Sequence, residues 1–521
     1  MEKGVLFRRK FRKCSSILLV LIMAIRQGLI PSAVFGVIIA GVCPSSFPSV
    51  VITVPSGFFM HDSLDRYLRE YFASTPDYTS YDEEFLHDFL QQGPLHHFIP
   101  AAAGGCFENT STCLALLDMV GYHCLPLGLA LGITGSLFLR PMARLAPKEL
   151  SQEILPRFIG SSELGGMMIT EPTGGTDIFG LNSTLKVSAG QAALNGVKCW
   201  GGLTGRAEHW IVAARIKKGD KLTRRVAMVY VPLASDGVKV EHYFDALGLQ
   251  PITYGSTRYS NVSIPESNIV TPAGGNALRS ILDTLFRSRM GISAIAAGHC
   301  RRLADEVENR AGTRITFGKA ISEYDQVQYR ISGLRGWQQI NESLWHFTGA
   351  WAGLQSDVSG DNYLANASKV ISSDGLSAAA DSAVQVFAGA AYKRNHIVGR
   401  AFTDARPFQI FEGSNDVLHE NTYDVLASRF GAVNAEVAGA ELARYGLKLS
   451  EEIPVPVREA LAGSGDHRNQ RQKVQCGKIL SWFLVQSVLE YEASTEGSPV
   501  EHGLRMALRQ MSALAAELPY L

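Results

Sequence analysis

Four short segments carry residue types that could do chemistry. The first, 168–177, reads Met168, Ile169, Thr170, Glu171, Pro172, Thr173, Gly174, Gly175, Thr176, Asp177. A strand that ends in such a glycine-rich turn exposes backbone N–H groups, and its hydroxyls can contact a flat polar ring; read alone it is a turn. The second is Gly196, Val197, Lys198, Cys199, Trp200, followed by GGLTGRAEHW. A Trp at a strand end beside a loop either stacks on an aromatic cofactor or fills the core. The third is Arg314, Ile315, Thr316, Phe317, Gly318, Lys319, where a fixed guanidinium suits a pyrophosphate. The fourth is Phe408 to Val417, FQIFEGSNDV. Its Glu412 leaves an apolar run and precedes a helix that Ser414 or Asn415 can cap. Either it is an acid favoured by the helix dipole, or it is a carboxylate held against apolar surface, its pKa raised for proton abstraction.

Other chemistries find no support. No GxGxxG follows a strand, and no GxxxxGK[ST] occurs; AGTRITFGKA has the Gly-Lys pair with the wrong glycine spacing. The eight cysteines show no CxxC spacing and no histidine pair completes a zinc pattern, so no metal site is expected. They read as mostly buried thiols of a reducing compartment. Lys+Arg and Asp+Glu both number 49, a balance that argues against nucleic acid as a partner.

The elements that must position these segments follow from pattern. A chain of 521 residues suggests two to four domains. Residues 60–165 read as helices broken by turns. Residues 166–277 are short β-branched runs spaced by Gly, Asn, Asp and Pro, an antiparallel sheet or barrel of about six to eight strands. Residues 278–431 return to long helices, and 432–521 form a helical extension, a cap or an oligomer contact, with a polar joint at 463–472. The fold class is α+β: an N-terminal helical domain, a middle antiparallel β-barrel-like domain, a C-terminal four-helix bundle and extra C-terminal helices. The leader 1–59 is basic over 1–13 and uncharged over 29–60. It is a membrane-associating segment or a mis-assigned start, and a secretory signal is disfavoured.

The four segments, in this order over this architecture, resemble the acyl-CoA dehydrogenase family from about residue 60 to 431. ITEPTGGTD is similar to the family's TEPGxGSD flavin loop, RITFGK to its RxTFGK, QVFAGAAY to its QxFGGxG, and FQIFEGSNDV to its YEGTxxIQ. The resemblance implies FAD bound noncovalently between the β domain and the bundle. Met168, Ile169, Thr170 and Thr176 would line the flavin ring, with Trp200 beside it. Arg314 and Phe317, with Gln385 and Gly389, would hold the pyrophosphate and adenosine of the neighbouring subunit's FAD, which implies a homodimer or a dimer of dimers. Ser414 and Asp416 would contact FAD after the base. Thr176, Arg289 and Gly413 would face the substrate. Glu412 would be the base, taking the α proton of an acyl-CoA while the β hydride passes to the flavin. Family members with a base elsewhere carry it just before the arginine that matches Arg289; here that residue is Ser288. An electron-transferring flavoprotein would be the electron partner, in the cytoplasm, with membrane association possible through 1–59.

Some positions depart from the pattern. Trp200-Gly201-Gly202 lacks the threonine that usually bonds the flavin, unless Thr204 supplies it. Phe387-Ala388-Gly389-Ala390-Ala391 replaces FGGxG, and Asp325 stands where glutamine is common. Two alternatives stand beside the dehydrogenase: an oxygen-using relative (an acyl-CoA oxidase or a flavin monooxygenase-like member) and a flavin-binding interaction protein without turnover.

Overall fold

The computed structural model describes residues 56–74, 81–188, 190–219, 221–271, 277–353, 355–462 and 468–521. The leader therefore lies outside the described residues, except for 56–59. These four open the first helix, α1 (Ser56–Ser74), ahead of the Met60 start expected from the sequence.

Local signals start several of the N-terminal helices. Asp82 accepts from Phe85 N at 2.8 Å and starts α2 (Glu83–Gln91). Asn109 caps α3 (Thr110–His123) in the same way. From α4 (Leu125–Gly132) the chain continues without a break through a π-turn, Ile133–Leu139, into α5 (Arg140–Leu145). The span Leu125–Leu145 is long and apolar enough to cross a bilayer, yet 89% of its most apolar window is buried inside the protein, so it is a core helix. A short α6 (Lys148–Ile154) leads to the sheet.

The middle region is one seven-stranded sheet: β1 (Gly165–Met168), β2 (Thr184–Ser188), β3 (Gln191–Cys199), β4 (His209–Lys218), β5 (Lys221–Pro232), β6 (Val238–Tyr243) and β7 (Gly255–Pro265). Its order is β1-β4-β2-β3-β7-β6, with β5 also on β4. The strand number lies within the expected range, but the sheet is mixed. β1 and β2 both run parallel to β4, whereas β3–β7, β6–β7 and β4–β5 are antiparallel. Strand β4 has neighbours on both sides, and its first six residues, HWIVAA, are all buried.

Helix α7 (Ala277–Thr313) is 37 residues long, ~55 Å at 1.5 Å per residue. A two-residue hairpin, β8 (Ile315–Thr316) and β9 (Lys319–Ala320), follows it. Then come α8 (Asp325–Trp351), α9 (Asn362–Phe387), the short α10 (Ile397–Ala405) and α11 (Asn415–Phe430). After residue 431 the chain adds α12 (Ala435–Ala443), α13 (Val455–Ala462), α14 (Gln470–Glu496) and α15 (Glu501–Glu517). The polar joint supplies the start of α14, where Asn469 and Gln472 form a capping box. These late helices lie on the bundle itself. Tyr363 on α9 donates to Leu480 O at 2.6 Å, and Ser332 on α8 meets His502 Nδ1 at 2.7 Å.

Candidate active site

Glu412 stands between the short turn Arg406–Gln409 and the start of α11, at φ +60°. A side chain at positive φ is strained, so neighbours must hold it. Arg289 on α7 donates from Nε to Glu412 O at 2.9 Å and from Nη1 to Asn366 Oδ1 at 2.8 Å. Lys369 on α9 donates to Gly413 O at 2.8 Å and to Asn415 Oδ1 at 2.7 Å. Two buried cations thus clamp the carbonyls of Glu412 and Gly413. Gly413 has φ +99°, and a Cβ there would lie 3.0 Å from Leu418 and 3.4 Å from Arg289 Nη2.

The Glu412 carboxyl has one partner. Ser288 Oγ donates to Oε1 at 2.9 Å, while Oε2 is buried without a hydrogen bond. Burial raises the carboxyl above its usual range; Arg289, Ser288 and Lys369 oppose that rise and do not cancel it. Burial brings the Arg289 guanidinium down to about 10 and, with help from Arg289, the Lys369 ammonium down to about 7. A raised carboxyl with a bare oxygen is a proton acceptor waiting for a donor. Ser288, which stands at the alternative base position, thus touches Glu412.

Beneath Lys369 the network continues. Asn415 Nδ2 donates to Asp374 Oδ1 and to Ser373 Oγ, and Gln409 Nε2 also donates to Asp374. Sequence reasoning missed Asn366, Lys369 and Asp374, and read Asn415 only as a possible cap. The signal was there: Lys369 and Asp374 flank a serine pair in the middle of α9, a helix otherwise made mostly of small and apolar residues. Of the two expected caps, Ser414 holds the position. Ser414 takes the N-cap position without a side-chain bond, and Asn415 serves Lys369 instead.

On the sheet, the 168–177 loop is tied from below. Glu171, buried, accepts from Asn182 N at 2.6 Å, Ser183 N at 2.9 Å and Lys198 Nζ at 2.8 Å. Lys198 also donates to Ile169 O. Burial acts against the Glu171 charge, but Lys198 and the donors outweigh it and keep the carboxyl low; burial draws Lys198 down to about 8. The glutamate of this motif is therefore a tether that shapes the turn. Met168 is buried, Ile169 and Thr170 are half-buried, and Thr176 is exposed. Trp200 is 55% exposed at φ +61° and stacks on Phe244 with ring centres 4.3 Å apart. It is a presented aromatic face rather than core. Thr204 does not replace the missing threonine. It is fully buried and donates to Gly201 O at 2.6 Å.

The third group lies apart. Phe317 and Gly318, both at positive φ, make the tip of the β8–β9 hairpin. Phe317 is 96% exposed, Arg314 is half-buried, and Gln385 and Gly389 are exposed at the end of α9. Ser414 and Asp416 are exposed beside Glu412. Among the described residues, no hydrogen bond or ring contact links Thr176, Trp200, Phe317 or Gln385 to Glu412. The structure brings together Glu412, Gly413, Arg289 and Ser288, buries Met168, and leaves Thr176, Trp200, Phe317, Gln385, Gly389, Ser414 and Asp416 on open surfaces. Those surfaces fit a large flat cofactor: an exposed indole, a glycine turn with free space at Gly174, and an exposed hydroxyl at Thr176.

Known proteins share this architecture. Residues 166–262 match the model for the acyl-CoA dehydrogenase middle domain, and 276–426 that for the acyl-CoA dehydrogenase C-terminal domain. The chain is 24% identical over 343 residues to the mitochondrial very long-chain specific acyl-CoA dehydrogenase of Macaca fascicularis, covering 65% of this chain and 52% of that protein. It therefore spans about half the length of that relative. It is 25% identical over 339 residues to cyclohexane-1-carbonyl-CoA dehydrogenase of Geobacter metallireducens, covering 64% and 87%. In fold it is similar to an acyl-CoA dehydrogenase complexed with FAD from Bacillus anthracis, with a TM-score of 0.72, 17% identity and coverage of 91% and 89%. That coverage is more than the 431 residues before the extension can supply. Butyryl-CoA dehydrogenase from Megasphaera elsdenii aligns with a TM-score of 0.64 at 19% identity, over 73% of this chain and all of that one. A sheet that presents Trp200, a bundle that buries a raised Glu412, and two matching domain models in the right order lead to one assignment: the chain belongs to the acyl-CoA dehydrogenase family.

Proposed function

We propose that this chain is an FAD-dependent dehydrogenase of acyl-CoA thioesters, with Glu412 as the catalytic base. The observation that carries the reading is the Glu412 carboxyl: raised by burial, its Oε2 without a partner, its backbone held by Arg289 and Lys369. The thioester carbonyl makes the α C–H acidic, and Glu412 accepts that proton. The Glu412 backbone N–H is the residue's donor for the thioester oxygen, where negative charge develops. Bound FAD supplies the acceptor for the hydride lost from the β carbon, so the product is a trans-2-enoyl thioester. Met168, Ile169, Thr170, Thr176, Trp200, Ser414 and Asp416 would hold the flavin. Arg314, Phe317, Gln385 and Gly389 would hold the adenosine and pyrophosphate half of a neighbouring subunit's FAD. An electron-transferring flavoprotein is the partner in this reading.

The test is anaerobic addition of a panel of acyl-CoAs to the purified yellow protein. Bleaching of the flavin band with formation of an enoyl product supports the assignment. A colourless protein that takes up no FAD, or a flavin that no acyl-CoA bleaches, sinks it. The inward-turned Thr204 favours a second reading, an oxygen-using relative, because the loop after Trp200 then offers no hydroxyl to the flavin. Rapid reoxidation in air with peroxide release identifies that case.

A further inference from the structure

Glu412 sits on a segment that the hydrophobic core does not hold. Phe408 before it and Leu418 after it are buried, but no apolar side chain between them is: Phe411 is half-buried, and Ile410 and Val417 are exposed. The backbone adds strain, with Glu412 at φ +60°. Polar contacts from α9 take the place of the missing core. Two amides flank Glu412 symmetrically, Gln409 three residues before it and Asn415 three residues after it. Both reach the same oxygen: Gln409 Nε2 and Asn415 Nδ2 each donate to Asp374 Oδ1 at 2.7 Å. Asp374 stands five residues after Lys369 on α9, about 1.4 turns along. Asn415 spans the two. Its Oδ1 accepts from Lys369 Nζ at 2.7 Å while its Nδ2 donates to Asp374, a double role open to an amide and closed to an ionised carboxylate. Lys369 also donates to Gly413 O at 2.8 Å.

A loop drawn in from both ends onto one carboxylate oxygen is buckled shut. We propose that Asp374 is a positioning residue for the base: it fastens Gln409 to Asn415 and so fixes the turn that aims the Glu412 carboxyl; this rests on the acyl-thioester reading above. Asp374 touches no reacting atom and acts through the two amides. Its charge strengthens both bonds and lies opposite the Lys369 ammonium across Asn415. Without Asp374, Asn415 Nδ2 keeps Ser373 Oγ at 3.0 Å, but the strap from Gln409 is gone. The turn is then free to relax the strained residue at its centre.

The experiment compares the flavin-loaded protein with Asp374→Leu, Asp374→Asn and Gln409→Met. Leu removes the acceptor, Asn keeps an Oδ1 that accepts from both amides, and Gln409→Met cuts one strap while leaving α9 untouched. The first arm needs no substrate. Amide hydrogen exchange over 409–415, read by mass spectrometry, is expected to quicken roughly 10- to 100-fold in Asp374→Leu and Gln409→Met, the loss of one charge-assisted bond, and to stay at the parental rate in Asp374→Asn. In the second arm, flavin bleaching is timed with an acyl-CoA that bleaches the parent, with and without deuterium at its α carbon. Asp374→Leu and Gln409→Met should bleach roughly 10²-fold more slowly, with the flavin band and the half-saturating concentration unchanged. Their α-deuterium isotope effect should rise, because proton transfer to a misplaced Glu412 becomes the slow step; a general folding defect would lower flavin content and leave that effect alone. Asp374→Asn should restore the rate. Parental exchange and rate in Asp374→Leu and Gln409→Met overturn the proposal, and so does faster exchange with an unchanged rate. An Asp374→Asn protein as slow as Asp374→Leu also overturns it, since Asp374 would then act by charge and not as a buckle. If Asp374→Leu loses its flavin, Gln409→Met decides. A parent whose flavin no acyl-CoA bleaches sinks the dehydrogenase reading, and the exchange arm still decides whether Asp374 fastens the turn.

Discussion

Glu412 combines a strained backbone, a buried carboxyl and a single hydroxyl partner, and each has a measurable consequence. Replacing it by Gln keeps the shape and the Ser288 contact but removes the proton acceptor. Glu412→Gln should retain FAD and lose at least ~10³-fold in kcat, toward the upper end of what general-base catalysis contributes; near-parental turnover would place the base elsewhere. The same variant reports on stability. The folded carboxyl titrates above the usual 4.5, so the protonated form is the one the fold prefers. Its contribution is fully present below the unfolded value and is lost as pH rises through the folded value. Glu412→Gln should therefore unfold at a higher temperature than the parent at pH 7, with the gap closing toward pH 4.5. A gap that is constant with pH contradicts the burial argument. Arg289 hydrogen-bonds the backbone of Glu412 and reaches its carboxyl only through its charge. Arg289→Lys cannot make both of its bonds, to Glu412 O and Asn366 Oδ1. Kinetics should show roughly a 10²-fold fall in kcat, the size expected when a reacting group is misplaced, with the flavin absorbance unchanged. Equal loss of flavin would show a folding role instead.

At the level of elements, α14 is more than a cap. A Cβ on Gly477 would lie 2.0 Å from His419 O, so α14 and α11 touch backbone to backbone just past the Glu412 turn. Gly477→Val should destabilise by at least ~1–3 kcal/mol through overpacking and lower flavin retention; chemical unfolding and absorbance at the flavin band check both. An unchanged midpoint would mean that the helices part without cost. The sequence made α7, α8 and α9 legible because their apolar residues recur at helical spacing over long runs. The strands of the sheet were legible from β-branched runs and turn residues. Their mixed pairing was not, because which strand lies on β4 depends on contacts between residues far apart, such as Gly165 with His209 and Thr184 with Arg215. Glu412 and Arg289 were legible from their motif and its resemblance. Asn366 and Lys369 were not, since a polar residue inside a helix looks the same whether it faces water or a buried carbonyl. The Leu125–Leu145 span passed unremarked because its apolar length is ordinary for a helix buried on all sides.

At the scale of the whole molecule, the open surfaces are where a second copy is expected. The β8–β9 hairpin holds Phe317 at a left-handed φ with 96% of its surface exposed, and Ile315 and Tyr392 are also well exposed. The positive φ at Phe317 serves the hairpin turn, but the ring itself gains nothing from standing in water. A partner that buries the ring, and a cofactor half lying against it, would return the cost. The expectation is a dimer whose interface includes this hairpin and the end of α9, with FAD completed across it. Phe317→Asp puts a charge at the tip while leaving the hairpin ladder, Ile315 with Ala320 and Thr316 with Lys319, in place. Sedimentation of the variant should show a halved mass, and its flavin should wash out on gel filtration at concentrations where the parent stays yellow. Circular dichroism should stay at the parental level, since the tip contributes nothing to the core. A Phe317→Asp protein that remains the size of the parent and keeps its flavin would show that the hairpin is not where the copies meet.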